Sequence, residues 1–158
     1  MKQAGGKFDS FAQKVTAVLI FVYTMGLIYA MFFGFGRQAR SGAELRYNVI
    51  PFSTIKLYVT NFHHMPFIDW IINMGGNIVV FVPFGLALPI VFRWRLGKVL
   101  LSFVLFITLL EILQMLTRRG SFDIDDILMN SAAVVLGYGI VLWLRKLAVG
   151  KSGIQRTY

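Results

Sequence analysis

Four long apolar runs alternate with polar connections along the chain. The runs cover roughly residues 15–33, 71–92, 99–116 and 127–144. A helix needs about 20 predominantly apolar residues to cross the hydrocarbon core of a bilayer. The pattern therefore predicts an all-α integral membrane bundle of four transmembrane helices. We expect one membrane domain over residues 1–158, because the connections are too short to build a second core.

The connection over residues 37–70 is the longest, and it changes from polar to aromatic along its length. Its aromatic residues include Phe52, Tyr58, Phe62, Phe67 and Trp70. Aromatic side chains mixed with polar ones favour the membrane–water interface. The segment is therefore predicted to carry a short interfacial helix bounded by Pro51 and Pro66, since each proline disfavours helical geometry at the residue before it.

The distribution of positive charge predicts the orientation of the bundle. The connection between the second and third runs holds Arg93, Arg95 and Lys98 and no acid, whereas residues 117–126 offset two arginines with three aspartates. Cytoplasmic loops of membrane proteins are enriched in Lys and Arg. Both termini are therefore predicted to be cytoplasmic, with residues 37–70 and 117–126 on the outer side.

Composition narrows the classes of protein that remain. Apolar residues make up 57% of the chain, charged residues 15%, and the formal net charge is +9. A soluble domain would carry about 25% charged residues. The basic excess predicts contact with membrane lipids and no nucleic-acid partner, because no soluble basic module remains outside the apolar runs. The absence of cysteine excludes disulfides and thiolate metal sites.

A carboxylate lies inside the third run, where it is energetically costly. Glu111 is followed by Gln114 and Arg118 at i+3 and i+7, so the three share one helix face. A buried charge in a bilayer must be paired, hydrated or protonated. Two interpretations stay open: a Glu111–Arg118 pair that joins helices, or a functional face directed into a cavity.

Acidic residues cluster where the fourth run begins. Asp123 could cap the fourth helix, with Asp126 three residues later in an arrangement like a capping box. Capping does not explain Asn130, which lies one turn beyond Asp126 and inside the apolar run. Capping alone and a binding site are both compatible with this cluster.

The second run begins with Asn73 and Asn77, which flank two glycines and lie at i and i+4. Hydrogen bonding between helices is one explanation for them. Pro83 lies in the middle of the same run, where it removes a helical hydrogen bond and predicts a kink.

In the predicted topology, the costly polar residues of three helices all lie at one depth in the outer part of the bilayer. We therefore predict an outward-facing polar pocket roofed by residues 37–70. Its predicted ligand-binding residues are Asn77, Glu111, Gln114, Arg118, Arg119, Asp123, Asp125, Asp126 and Asn130. Its predicted supporting residues are Asn48, Pro51, Phe52, Asn73, Phe81, Pro83 and Gly85.

No metal or cofactor site is predicted. His63 and His64 are adjacent, point in different directions on a helix, and have no third nitrogen or sulfur ligand. Binding of Mg²⁺ or Ca²⁺ by Glu111 and the aspartates stays open, since these ions prefer oxygen ligands. The serines form no recognisable nucleophile motif, and no phosphate-binding glycine loop is present.

The order and spacing of the polar residues resemble a known family. The pieces are Asn48-x-x-Pro51-Phe52, Asn73-x-x-Gly76-Asn77-x-x-x-Phe81-x-Pro83-x-Gly85, Glu111-x-x-Gln114, Phe122-Asp123-x-Asp125-Asp126-x-x-x-Asn130 and Gly137. With these pieces the chain resembles the VanZ-like family of bacterial membrane proteins over residues 46–137. It departs from the family in having Ala133 where a glycine is common. Either Arg118 or Arg119 could take the place of the arginine usual before the Phe-Asp piece.

The resemblance implies a small multi-pass protein of the bacterial plasma membrane. Founding members of the family are linked to low-level resistance to glycopeptide antibiotics of the teicoplanin type. No biochemical mechanism follows from the family.

The leading functional hypothesis is a pocket that binds the head of a lipid-linked cell-wall intermediate or a lipoglycopeptide. Arg118 or Arg119 would bind a phosphate or carboxylate, since guanidinium suits both, while Phe81 and Phe84 would line the path of the tail. An intramembrane enzyme with Glu111 as general base is the first alternative. A small transporter or flippase is the second, and a structural partner-binding protein is the third.

Overall fold

The computed structural model describes residues 2–34, 38–42, 44–64 and 66–154 as an assembly of helices. The helices are α1 (Lys2–Phe33), α2 (Ser53–Thr60), α3 (Phe67–Trp70), α4 (Gly76–Val91), α5 (Leu96–Leu116) and α6 (Ile124–Ile154). Two short strands, β1 (Tyr47–Asn48) and β2 (Phe122–Asp123), pair in parallel. A 3₁₀ turn covers Phe62–His64, and a π-helical turn covers Ile71–Gly75. The all-helical prediction is confirmed, whereas the sequence did not predict the strand pair.

Within the described ranges, three helices are long and apolar enough to cross a membrane. They are Ser10–Phe33 within α1, Leu96–Leu116 as α5, and Ile124–Ala148 within α6. The second predicted span is divided instead: α4 is a 16-residue apolar helix, preceded by the π-helical turn and by α3. Gly75 and Gly76, which favour helices poorly, lie where the π-helical turn gives way to α4.

The long helices share two ends. At the polar end, α1 and α5 finish while α4 and α6 begin; at the basic end, α4 finishes and α5 begins. The basic end takes its name from Arg93, Arg95, Lys98, Arg145 and Lys146. Since α4 and α6 both start at the polar end, they run parallel, whereas α1 and α5 run in the opposite direction.

Two glycines allow α4 and α6 to pack with their backbones in contact. A Cβ atom added to Gly85 would lie 2.9 Å from both the Cα of Gly137 and the amide nitrogen of Tyr138. One added to Gly137 would lie 3.0 Å from the Cα of Gly85, and closer still to the Val82 carbonyl oxygen. Small residues at such crossings allow the close approach on which helix association in lipid depends.

An aromatic core lies between α4 and α5. The Phe81 and Phe84 rings each lie 5.6 Å from the Phe103 ring between centroids. Val99 and Ile107 of α5 are completely buried beside them. The opposite faces of the helices carry exposed apolar side chains, as lipid contact requires. These include Val18, Leu19, Phe21, Val79, Leu101, Leu105 and Leu109.

Pro83 lies inside α4, as predicted from the sequence. Its missing N–H leaves the Val79 carbonyl without the usual helical donor. One residue further on, the Tyr23 hydroxyl of α1 donates a 2.8 Å hydrogen bond to the Val80 carbonyl oxygen. A side chain of the neighbouring helix therefore adds a polar contact to the backbone that the proline disturbs.

The predicted helix in residues 37–70 is present as α2, and it buries none of its residues. Phe52, Leu57 and Val59 are each more than half exposed, as is Phe67 further along. The Trp70 indole N–H donates to the Tyr58 carbonyl oxygen at 3.2 Å, which joins α3 to α2. Exposed apolar side chains of this kind are typical of a segment at the membrane interface, and the interfacial position of α2 stays a prediction.

We predict that Gly137→Ala destabilises the protein. The added methyl group would overlap the α4 backbone, and overpacking of this kind costs about 1–3 kcal/mol, so Tm in detergent should fall by several degrees. Gly139→Ala is the matched control on the same helix, because its Cβ would meet nothing within 4 Å. Equal Tm values for the two variants would contradict the close crossing.

Candidate functional site

A cavity of about 290 Å³ lies at the polar end of the bundle. Its polar lining is Asn77, Glu111, Gln114, Asp126 and Asn130. Its remaining lining is Leu27, Met31, Gly76, Val80 and Phe81. Polar side chains from three helices therefore face an apolar wall that α1 and α4 supply.

Helical periodicity directs these polar groups into one space. Asp126 and Asn130 are separated by one turn of α6, and Glu111 and Gln114 by three residues of α5, so each pair lies on one face. Asn77 lies in the first turn of α4, where its side-chain amide donates a 2.9 Å hydrogen bond to Asp126 Oδ1. This bond joins the starts of the two parallel helices across the cavity.

Three of the five polar residues that line the cavity are buried, whereas Asn77 and Asp126 are partly exposed. Glu111 is 3% exposed, Gln114 4% and Asn130 2%. Among the residues that the structure describes, none donates a hydrogen bond to Asn130 Oδ1. A buried acceptor without a donor costs free energy, so Asn130 Oδ1 is suited to a donor group on a bound molecule.

Gln114 and Arg119 bind the last carbonyl groups of α1. Gln114 Nε2 donates to the Met31 carbonyl oxygen at 3.0 Å, and Arg119 Nη1 donates to the Phe32 carbonyl oxygen at 2.7 Å. The Arg119 guanidinium also lies 4.6 Å from the centre of the Phe33 ring. The C-terminal end of a helix leaves carbonyl oxygens without helical donors and carries partial negative charge. The Gln114 and Arg119 side chains therefore supply hydrogen-bond donors to the C-terminal end of α1.

Arg118 terminates α5. It has a positive φ of 59°, its amide donates to the Met115 carbonyl oxygen, and the Arg119 amide donates to that of Gln114, both at 3.0 Å. This is the Schellman pattern, in which glycine is the usual residue. Neither Arg118 nor Arg119 is among the described residues that line the cavity.

Asp125 caps a helix other than its own. It is completely buried, and its carboxylate accepts hydrogen bonds from the backbone amides of Phe52, Thr54 and Ile55 at 2.5, 2.7 and 3.2 Å. These amides form the start of α2, where a carboxylate is favoured by both the unsatisfied donors and the helix dipole. Asp125 thus attaches α2 to the first turn of α6.

Asp123 and Asn48 complete the same connection. The two residues are partners in the β1–β2 register, and Asn48 Nδ2 donates to Asp123 Oδ1 at 3.1 Å. Asp123 also accepts from its own helix, through the Asp125 amide at 2.9 Å, and from the Thr54 hydroxyl at 2.6 Å. The capping role considered for Asp123 is therefore present. We call Asn48, Thr54, Asp123 and Asp125 the polar knot.

Tyr58 of α2 lies within electrostatic range of two carboxylates, Asp123 of β2 and Asp126 of α6. Burial raises the pKa of its phenol, and the carboxylates of Asp126 and Asp123 raise that pKa further. The phenol therefore stays protonated at neutral pH and can act as a hydrogen-bond donor near Asp126.

The supporting residues predicted from the sequence occupy several places. Phe81 lines the cavity, whereas Phe84 lines a separate apolar space with Phe103. Pro51 lies in the turn before α2, and Phe52 follows with a positive φ of 65°. The side chain of Asn73 falls outside the described part of the chain. Sequence reasoning missed Leu27 and Met31, because apolar residues of a lipid-facing helix carry no signal for a cavity.

The ranges that the structure describes contain no group of three His, Asp or Glu residues that could hold a metal ion. His63 and His64 lie in the exposed 3₁₀ turn, away from the cavity lining.

The fold and the cavity define a helical membrane protein with a buried polar site at one end of its bundle. A profile of the VanZ/LLP1 family matches residues 20–145, so the chain belongs to the VanZ-like family. Searches of curated proteins and of solved structures each found no match to this chain.

We predict that Asp125→Asn loosens α2, because an amide presents one acceptor where the carboxylate presents two. Hydrogen bonds to a charged group contribute about 1.5–3 kcal/mol each, so Tm should fall and amide exchange at Thr54 and Ile55 should accelerate. Glu44→Gln removes the same charge from an exposed side chain and serves as the control. Unchanged exchange at Thr54 and Ile55 would contradict the capping role.

The two adjacent arginines form a second test. Arg119→Met should lower Tm, since it removes the donor to the Phe32 carbonyl and a cation–π contact of about 0.5–1 kcal/mol. Arg118→Met removes the same charge one residue earlier and should leave Tm nearly unchanged. If the two variants lose equal stability, Arg119 does not cap α1.

Proposed function

We propose that the polar cavity binds the head group of an amphiphilic molecule of the bacterial cell envelope. The protein would lie in the plasma membrane, with its polar end outward and both termini in the cytoplasm. The lipid-linked intermediates of cell-wall synthesis and lipoglycopeptides of the teicoplanin type belong to this chemical class.

One observation carries the proposal: five polar side chains converge on a cavity whose opposite wall is apolar. Ligand sites in proteins combine a largely apolar lining with a few placed polar groups. Costly polar residues at membrane depth are functional candidates by default. An amphiphile matches both surfaces, with its head against Asp126 and Asn130 and its first apolar atoms against Leu27 and Phe81.

The cavity chemistry favours a head group rich in hydrogen-bond donors. Its described lining contains two carboxyl groups and three side-chain amides, and no lysine or arginine. Hydroxyl, amide and ammonium groups are the natural partners of such a surface. A phosphate bound by Arg118 or Arg119 is a weaker interpretation, because Arg119 instead binds the α1 terminus.

The cavity size limits the bound part of the ligand. About 290 Å³ lies at the lower end of the roughly 300–1,000 Å³ typical of small-molecule pockets. A single sugar or an amino-acid-sized group is therefore a better match than a whole glycopeptide. The rest of the molecule would extend into the lipid or the outer medium.

Four membrane crossings are part of the proposal. The 16-residue α4 follows the helical turns from Phe67 to Gly75 without an interruption. It packs against α6 through Gly85, and α6 is long enough to span the membrane. In this proposal α4 therefore lies at the same depth in the bilayer as α6. A thinner local bilayer or a tilted neighbour accommodates a short span at modest cost.

Filling the cavity is the direct test. Gly76 lines it, and a Cβ atom there would meet nothing within 4 Å, so Gly76→Leu should occupy the ligand volume while retaining every polar group. Binding of labelled teicoplanin and of a labelled lipid-linked cell-wall precursor would be measured in nanodiscs. We expect one of the two probes to bind and Gly76→Leu to weaken its binding at least tenfold.

Gly139→Leu is the matched control, since it adds the same side chain at an open position of α6 outside the cavity. Glu111→Gln should also weaken binding, because it replaces one carboxyl oxygen with an amide group that cannot accept a hydrogen bond, and a hydrogen bond contributes about 0.5–1.5 kcal/mol. Failure of both probes to bind, or full binding by Gly76→Leu, would refute the proposal.

An intramembrane enzyme is the second candidate, and one observation favours it. Glu111 and Asp126 line the same cavity, and a pair of carboxyl groups can supply a general acid and a general base. The same binding experiment distinguishes the two functions. An enzyme would convert the labelled precursor and lose this turnover in Glu111→Gln, whereas a binding protein would release it unchanged.

A further inference from the structure

A second cavity lies at the basic end of the bundle, far from the polar cavity. It has a volume of about 470 Å³ and is lined by Ala12, Gln13, Ile90, Arg93 and Arg145. Gln13 and Met31 lie on the same helix, 18 residues apart, which corresponds to about 27 Å at 1.5 Å per residue. The two cavities are therefore separate sites at opposite ends of the same helices.

The basic cavity has the charge of an anion site. Two of its five described lining residues are arginines, and none is acidic. Guanidinium groups bind phosphate oxygens through paired N–H donors. The N–H donors of Gln13 add to this surface, although this side chain also donates to the Val91 carbonyl oxygen.

Both arginines that line this cavity lie near the C-terminal end of α4. Arg93 lies two residues after Val91, the last residue of α4, and has a positive φ of 55°, a conformation that glycine usually occupies at helix ends. Arg145 extends from α6 across the end of α4, where its Nη2 atom lies 3.5 Å from the Pro89 carbonyl oxygen. The two guanidinium groups therefore flank the C-terminal end of α4.

An apolar groove continues from this cavity along the membrane-spanning part of the bundle. The groove has a volume of about 370 Å³ and is lined by α1 and α4. Its lining residues are Thr16, Leu19, Ile20, Tyr23, Pro83, Leu86, Ala87 and Ile90. Ile90 lines both spaces. From Thr16 to Tyr23 the groove follows seven residues of α1, or about 10 Å.

We propose that this composite surface binds an anionic glycerophospholipid. The phosphate lies between Arg93 and Arg145, and one acyl chain follows the groove between α1 and α4. Charge complementarity selects this occupant, because basic pockets between membrane helices bind anionic headgroups, and anionic lipids are concentrated in the cytoplasmic leaflet. The site needs no ligand in the polar cavity, and its position in the cytoplasmic leaflet rests on the orientation given in the proposed function.

The test compares lipids that differ in charge but share their acyl chains. Native mass spectrometry of the intact protein in detergent would measure adducts with phosphatidylglycerol and with phosphatidylcholine. We expect phosphatidylglycerol to bind at least tenfold more tightly. Glycerol 3-phosphate, which carries the phosphate without a chain, should bind at least tenfold more weakly than phosphatidylglycerol.

Arg93→Asn is the decisive variant, because asparagine tolerates positive φ and removes the guanidinium without disturbing the end of α4. It should abolish the preference for phosphatidylglycerol. Arg95→Asn removes the same charge two residues away, outside the cavity lining, and should retain the preference. Gly76→Leu in the polar cavity should retain it as well, which separates this proposal from the preceding one.

Three results would overturn the proposal. Equal affinity for the two phospholipids would remove the role of charge. An unchanged preference in Arg93→Asn would place the lipid elsewhere. Equal binding of glycerol 3-phosphate and phosphatidylglycerol would leave a phosphate site in which the groove has no part.

Discussion

The backbone contact between α4 and α6 is the constraint on which the rest of the structure depends. Gly85 and Gly137 bring the two helices together at a distance that any Cβ atom would prevent. Because the helices run parallel from the polar end, this contact also sets their relative register. Asn77 lies about two turns before Gly85, and Asn130 about two turns before Gly137, so the crossing aligns both with the same cavity. The Asn77–Asp126 hydrogen bond is a consequence of that alignment.

Helix ends impose the second requirement, since a backbone group without a partner is costly in an apolar environment. Polar side chains of neighbouring segments meet this requirement at the polar end of the bundle. Gln114 and Arg119 bind the end of α1, and Asp125 caps the start of α2. The family's polar residues consequently divide into two sets. The polar knot joins α2 to the start of α6, while the polar lining of the cavity consists of Asn77, Glu111, Gln114, Asp126 and Asn130.

This division changes the chemistry expected of the site. With Arg119 engaged by α1 and Asp125 engaged by α2, the cavity offers two carboxyl groups and three amides. Such a surface is complementary to hydroxyl and ammonium groups, whereas the guanidinium groups at the basic end are complementary to phosphate. One helical bundle thus presents opposite chemistry at its two ends, separated by the aromatic core around Phe103.

The sequence by itself determined the helical class and the family, and it predicted that the costly polar residues of three helices lie at one end of the bundle. The length of an apolar run, and the free-energy cost of placing a carboxylate such as Glu111 in lipid, are local properties. They can be predicted without knowing which residues pack nearby. Only the tertiary structure decided which polar residues share a space. Arg119 and Asp125 each bind backbone groups more than 65 residues away in the chain, and no local pattern encodes such a partner. The apolar wall formed by Leu27 and Met31 could not be predicted either. The sequence does not distinguish an apolar side chain that faces lipid from one that faces a cavity, because helix packing decides between them.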